Sequence, residues 1–319
     1  MQDVYTDISE ALARLDFHRE PSGLYAPIVY TLESGGKRIR PALALMATDM
    51  LGGRRKDIMP IALALEVFHN FTLLHDDLMD NADTRRGRPA VHKKWNKNTA
   101  ILSGDEMLIE SYKLIGQTPQ PYLTESLELF SRMASQICEG QQYDMDFEQR
   151  SDVTIAEYTE MIRLKTAVLP ATALQLGALV SAANKNTQSE IYQFGINLGL
   201  AFQLRDDYLD VYGDAATFGK AIGGDIIDNK KTFLYITAFD NATEEQSAQL
   251  RLWFDSKEKE PKIQQITRLY SETGADRICK EQIEHYHRKA ATHLQNIDAG
   301  REAKKPLSTL LDRLLTRNN

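Results

Sequence analysis

Apolar residues recur along this chain at three- and four-residue steps, as in Val67, Phe71, Leu74 and Leu78, and again in Leu198, Phe202 and Leu209. That period matches an amphipathic helix, whereas the alternation of a half-buried strand is nearly absent. Breaks fall at Gly35-Gly36, Gly52-Gly53, Arg86 to Pro89, Gln117 to Pro121, Asn184 to Thr187, Gly213 to Gly224 and Thr273-Gly274. Most segments between them are long enough for one or more helices. No low-complexity tract, linker or period-locked repeat divides the chain. The pattern predicts an all-α fold in one domain over residues 1–319. The apolar stretch Leu169 to Ala183 carries Gln175 and falls short of the roughly 18 apolar residues that a membrane span needs. It predicts a buried core helix and no membrane span.

Composition changes this picture little. Hydrophobic residues make up 42% and charged residues 26%, ordinary for a globular protein with a sizeable core. The net charge of −7 disfavours nucleic acid as a partner. Cys138 and Cys279 have neither metal-ligand nor disulfide-framework spacing, and Met1 to Asp16 shows no secretory pattern, so the expected location is cytoplasmic.

Charge location is more informative. In Leu73-Leu74-His75-Asp76-Asp77-Leu78-Met79-Asp80, Asp76 and Asp80 stand four apart, so a helix stacks them one turn above the other. Two carboxylates so placed repel each other, and a hard dication removes the repulsion. Magnesium is the natural candidate, being held by one or two carboxylates plus substrate phosphates. Asp206-Asp207-Tyr208-Leu209-Asp210 repeats the spacing, again inside an apolar helical segment. One such cluster on an acidic helix face would be unremarkable. Two within apolar segments would be costly without a ligand, and facing each other across a cavity they would hold a metal cluster.

Cations stand at matching places. Arg85, Arg86 and Arg88 follow the first cluster, with Gly87 giving the turn its freedom. Gly35-Gly36-Lys37-Arg38-Ile39-Arg40-Pro41 puts three more on a turn before a helix, and Lys165, Lys220, Lys230 and Lys231 complete the set. Arginine binds phosphate through its planar fork and lysine as a point charge. Each alone reads as a surface cation; together with two metal-type clusters they describe a pocket for two diphosphates, one held through metals and one by cations. His69 lies seven residues before Asp76, near the same helix side, and could donate to a phosphate.

At this point the residues resemble the trans-isoprenyl diphosphate synthases, the short-chain polyprenyl synthetases of the farnesyl and geranylgeranyl type. The resemblance is carried by GGKRIRP, DDLMD with ADTRRGRPAVH, GQQYD at Gly140 to Asp144, Lys165-Thr166, FQLRDDYLD at Phe202 to Asp210, and GKAIGGDIIDNKK from Gly219 to Lys231. It implies a bundle of about a dozen helices around a central active-site cavity, normally a homodimer. It implies that Asp76, Asp80 and Asp206 bind three magnesium ions (manganese serving as a substitute), with Asp77, Asp207 and Asp210 supporting. Arg85, Lys165 and Lys220 would hold the allylic diphosphate, and Lys37, Arg40, His69 and Arg86 isopentenyl diphosphate. Thr166 and Gln203 would sit beside the allylic carbon, and Lys230, or Lys231, would close over the diphosphate. The basic tail of some relatives is reduced here to Arg313 and Arg317.

The activity so implied is a prenyltransferase that condenses isopentenyl diphosphate with dimethylallyl, geranyl or farnesyl diphosphate. Phe71 and Thr72, five and four residues before Asp76, with Phe68 deeper, are the expected chain-length floor. An aromatic followed by a small residue favours the C20 geranylgeranyl product, with C15 farnesyl diphosphate the alternative. A class I terpene cyclase would share the metal clusters without needing Lys37 and Arg40. A non-catalytic partner subunit would not need both aspartate clusters intact. Glu66 with His69, and Glu284 with His287, have the Glu-x-x-His spacing of di-iron bundles, a reading that leaves both aspartate clusters without a role.

Overall fold

The helical periodicity becomes a row of helices because each apolar stripe must be buried against another. In the computed structural model, residues 2–214 and 222–316 are described. The order is α1 Gln2–Ala13, α2 Ser22–Glu33, α3 Ile39–Met50, α4 Arg55–Met79, α5 Val91–Lys94, α6 Lys97–Ile115, α7 Gln120–Gln149 and α8 Ile155–Ile162. A π-helical segment, Arg163–Ala167, leads into α9 Val168–Val180 and α10 Lys185–Tyr212. Then follow α11 Gly224–Ile227, α12 Phe233–Asn241, α13 Glu244–Phe254, α14 Lys259–Glu272, α15 Ala275–Asn296 and α16 Arg301–Thr316. The all-α expectation holds. The strands among the described residues are a two-residue pair, β1 Thr84–Arg85 and β2 Arg88–Pro89.

Local chemistry sets several ends. Asn96 caps α6 by accepting from the Thr99 amide, and Thr154 with Glu157 forms a reciprocal capping box on α8. Gly274, with φ of 75°, stands at the start of α15. The stretch read as a buried helix is α9, where Leu169, Leu174, Leu176 and Leu179 are all buried.

The chain forms two compact units. The first comprises residues 1–131, 172–189 and 299–306. Here α4 packs along α6 and α3. Among the described residues α4 is also the one helix long and apolar enough to cross a membrane by length and composition, and 72% of that window is buried inside the protein, as befits a core helix. The second unit comprises residues 132–171, 190–298 and 307–319, in which α12 packs on α15 and α13 on α14.

Candidate active site

The first unit positions the first acidic cluster at the C-terminal end of α4. The Asp80 amide donates to the Asp76 carbonyl over 2.9 Å, so the four-residue spacing is one helical turn. Asp77 is buried and accepts from Arg85 Nε at 2.8 Å and from the same guanidinium's Nη2, which lies 3.6 Å from Asp76. Burial raises the Asp77 carboxyl above its ordinary value, with the Arg85 guanidinium opposing.

Arg85 reaches Asp77 because a tight hairpin follows the helix. Thr84–Arg85 pairs antiparallel with Arg88–Pro89. The two turn residues, Arg86 and Gly87, have φ of 54° and 74°, the positive angles of a two-residue hairpin whose twist suits its strands. The sequence marked a break here but gave no strand signal, since two residues show no alternation. Arg86 donates to the Gly35 carbonyl, and its guanidinium passes so near Gly36 that a Cβ there would sit within 3.0 Å of it. Glycine at position 36 is favoured by its φ of 134°, while the Arg86 guanidinium, the end of a flexible side chain, could give way to a methyl group.

In the GGKRIRP segment, Lys37 is exposed on the turn, Arg38 caps α3 in a left-handed conformation, and Arg40 lies in the first turn of α3. The sequence reading had all three cations on the turn; Arg40 belongs to the helix. Its Nε is buried without a hydrogen-bond partner. Burial lowers the Arg40 guanidinium to about 10, with Glu66 opposing and Arg86 adding to the fall. Burial also drives His69 well below its ordinary value, and Arg40, Arg86, Arg85 and Arg38 press in the same direction, so its imidazole is neutral at pH 7. Arg38, Arg40, Arg85 and Arg86 of the first unit thus all act on His69 electrostatically, while Arg38 is paired with Glu66 and Arg85 with Asp77.

Deeper along α4, aromatic rings form a chain. Phe71 meets His75 at 4.9 Å and Phe68 at 5.4 Å between ring centroids, and Phe68 meets Phe130 at 5.3 Å. Thr72 donates its hydroxyl to the His69 carbonyl over 2.8 Å.

The second unit holds the second acidic cluster, in the last turns of α10. Asp207 is buried, and both of its oxygens are engaged. The Tyr158 hydroxyl donates to one, and the Gln203 amide donates to the other over 2.9 Å. Burial lifts its carboxyl to about 8, with Asp225 and Asp206 adding and Tyr158 and Gln203 opposing. Thr166 donates to Gln203 Oε1 over 3.1 Å, so the pair expected beside the allylic carbon is joined directly. Asp210 accepts from the Asp225 amide at 2.9 Å, and Lys230 stands 3.5 Å from Asp225. Lys231 donates to the Glu148 carbonyl over 2.6 Å. Lys220 lies outside the described residues.

Lys165 and Thr166 sit on the π-helical segment, a wide turn that often marks functional positions. A Cβ on Gly140 would strike the backbone of Leu164 and Lys165, and one on Gly199 would strike Ala167. Two glycines therefore let α7 and α10 press against the segment. Lys165 reaches Asp144, the last residue of the GQQYD stretch, at 2.6 Å. Tyr158 had no part in the sequence reading, Glu66 entered it only in a Glu-x-x-His pair with His69, and Asp144 and Asp225 only inside the GQQYD and GKAIGGDIIDNKK motifs. Their signal was weak, being single polar residues whose partners lie far along the chain.

The Glu-x-x-His pairs are engaged elsewhere: Glu66 with Arg38 and Asn70, Glu284 with Arg288, and His287 facing Asp312 at 3.6 Å. Among the described residues, no three or more His, Cys, Asp or Glu side chains gather closely enough to hold a metal alone. A cation at either cluster would draw further ligands from water or phosphate, as magnesium does.

Comparison with known proteins places these features. The family model for polyprenyl synthetase matches residues 21–272. A geranylgeranyl diphosphate synthase of Methanosarcina mazei is 40% identical over 222 residues, 69% of this chain and 68% of its own. A geranylfarnesyl diphosphate synthase of Natronomonas pharaonis is 37% identical over 251 residues, 73% of this chain and 74% of its own. Among solved structures, a geranylgeranyl pyrophosphate synthase superposes with a TM-score of 0.94 at 44% identity, covering 100% of this chain and 99% of the other. A geranylgeranyl pyrophosphate synthase from Corynebacterium glutamicum, complexed with isoprenyl diphosphate and magnesium, gives 0.87 at 26% identity, over 99% and 98% of the two chains. Matched over most of its length by the family model and by relatives and structures of one kind, the chain belongs to the polyprenyl synthetase family.

Proposed function

We propose that this protein is a magnesium-dependent trans-prenyltransferase that condenses isopentenyl diphosphate with allylic diphosphates up to farnesyl diphosphate, giving geranylgeranyl diphosphate. The observation that carries this reading is a second group of cations beside the first aspartate cluster: Arg85, Arg86 and Arg88 line one pocket with Asp77, and the buried Nε of Arg40 has no hydrogen-bond partner. A terpene cyclase needs no second diphosphate site, whereas a condensing enzyme does.

The donor sets fit a hard dication. Both clusters offer carboxylates, Asp76, Asp77 and Asp80 in one and Asp206, Asp207 and Asp210 in the other. Burial and neighbouring carboxylates that raise Asp207 to about 8 describe a charge excess that a cation would relieve. Asp76, Asp80 and Asp206 would hold three magnesium ions, or manganese in their place. Held by these aspartates, a divalent ion would supply positive charge for the leaving diphosphate.

The chain's own residues do the rest. Arg85, Lys165, Lys220 and Lys230 bind the allylic diphosphate and stabilise its departure. Lys37, Arg40, His69 and Arg86 hold isopentenyl diphosphate with its double bond towards the allylic carbon. Thr166 and Gln203, already hydrogen-bonded to each other, turn oxygen atoms towards the positive carbon. The allylic carbon–oxygen bond breaks first, leaving diphosphate and an allylic cation; the double bond of isopentenyl diphosphate then forms the new carbon–carbon bond, and the surplus proton passes to the released diphosphate.

Phe71 with Phe68 behind it supports a C20 stop, as do the geranylgeranyl synthases among its relatives. Exposed Ile101, Leu102 and Ile109 on α6 give a homodimer an apolar face. Free cysteines suit a reducing cytoplasm.

The test is incubation of the purified protein with magnesium, labelled isopentenyl diphosphate and each of the C5, C10 and C15 allylic substrates. The expected outcome is chain extension to C20. Hydrocarbon formed without isopentenyl diphosphate would overturn it.

A further inference from the structure

We propose that Glu66 is a positioning residue: clamped to Arg38 and Asn70, it sets the cations that receive isopentenyl diphosphate. The inference rests on the reading above that Lys37, Arg40, His69 and Arg86 bind that substrate.

Glu66 is 2% exposed and cannot touch a substrate. A buried carboxylate persists when it is paired and hydrogen-bonded, and this one is both. Its Oε1 accepts from Arg38 Nη1 and from Asn70 Nδ2 at 2.9 Å. Asn70 also donates to the Glu66 backbone carbonyl at 2.8 Å, which fixes the amide on the helix. The other arm of the Arg38 guanidinium donates to the Leu32 carbonyl over 2.6 Å. One carboxylate thus ties the middle of α4 to the end of α2 and the start of α3.

Arg38 is where this control matters. Its φ of 46° is one that non-glycine residues rarely adopt and that surroundings must impose. Lys37 stands directly before it and Arg40 two residues after. Releasing Arg38 would free both neighbours to shift, and with them the Arg40 charge that acts on His69 and Arg86. Asn70 lines a pocket with Ser34, Asp77, Arg85 and Arg86, so the clamp ends at the site itself.

Glu66 also counters the mutual repulsion of Arg40 and Arg86. That gives the inference a sign. If Glu66 acted only as a charge, removing it would tighten diphosphate binding, because one repelling anion is gone. If it positions the cations, removing it weakens binding.

The experiment is steady-state kinetics of Glu66→Gln with saturating magnesium and allylic substrate. A charge-assisted hydrogen bond lost from the clamp predicts a KM for isopentenyl diphosphate raised about tenfold. The KM for the allylic substrate should stay unchanged and kcat should hold within about threefold. A KM for isopentenyl diphosphate that is unchanged or lowered overturns the proposal. Should Glu66→Gln fail to fold, Glu66→Asp replaces it, keeping the charge and both cations while withdrawing the carboxylate from Arg38 and Asn70. A normal Tm with a raised KM supports positioning, and a normal Tm with a normal KM refutes it. Arg40→Gln measured alongside separates the two layers. If it leaves the KM for isopentenyl diphosphate unchanged, the substrate assignment falls; if it raises the KM while Glu66→Gln does not, only the role of Glu66 falls.

Discussion

Aspartate 207 shows how one side chain couples burial to chemistry. Its carboxyl is shifted from 3.8 up to about 8, first by burial and then by Asp225. In the unfolded chain it loses its proton near its ordinary value, while the native state keeps it. The native state therefore binds more protons between pH 4 and 8, and metal-free protein should lose stability as pH rises through that window. Asp207→Asn should flatten the slope, as thermal melts in chelator across pH 5 to 8 would show. An unchanged slope would assign the effect to other groups. Asp76→Ala and Asp206→Ala should each cut turnover by several orders of magnitude with little loss of Tm, measured by product assay and melting. Both aspartates were legible in the sequence because spacing and apolar context can be seen in one chain. Glu66 and Tyr158 were not, since their meaning comes from Arg38 and Asp207, which only folding brings to them.

Among the elements, the π-helical segment Arg163–Ala167 depends most on its neighbours. Gly140 on α7 and Gly199 on α10 leave no room for a methyl group against its backbone. Overpacking a tight contact costs about 1–3 kcal/mol. Gly140→Ala and Gly199→Ala should each lower the melting temperature and reduce kcat further than stability alone explains, because Lys165 and Thr166 ride on the segment. An unaffected kcat at a temperature where both variants are folded would free the segment from a catalytic part. Helical periodicity had marked the flanking helices, α9 among them. It could not mark the wide turn, because five residues are too few to set a period of their own. The Thr84–Pro89 hairpin escaped for a similar reason: its strands are too short to alternate, and its turn residues, Arg86 and Gly87, are not the usual asparagine–glycine pair.

At the scale of the whole molecule, the all-α fold and the family were legible in the ordered motifs from GGKRIRP to GGDIIDNKK. Product length is a property of the complete cavity and was only indicated, through Phe71, Thr72 and Phe68. Phe71→Ala should shift the longest product beyond C20, as chromatography of dephosphorylated products would reveal, whereas an unchanged spectrum would remove Phe71 from the floor.

We propose as metal ligands Asp76, Asp80 and Asp206, holding divalent ions together with an allylic diphosphate. A crystal structure of the protein with magnesium and an unreactive allylic diphosphate analogue tests it directly. The account predicts magnesium at about 2.0–2.1 Å from oxygens of Asp76, Asp80 and Asp206, with the analogue's phosphates completing the coordination. Ions bound to one cluster alone, or at two sites sharing no phosphate, would contradict it.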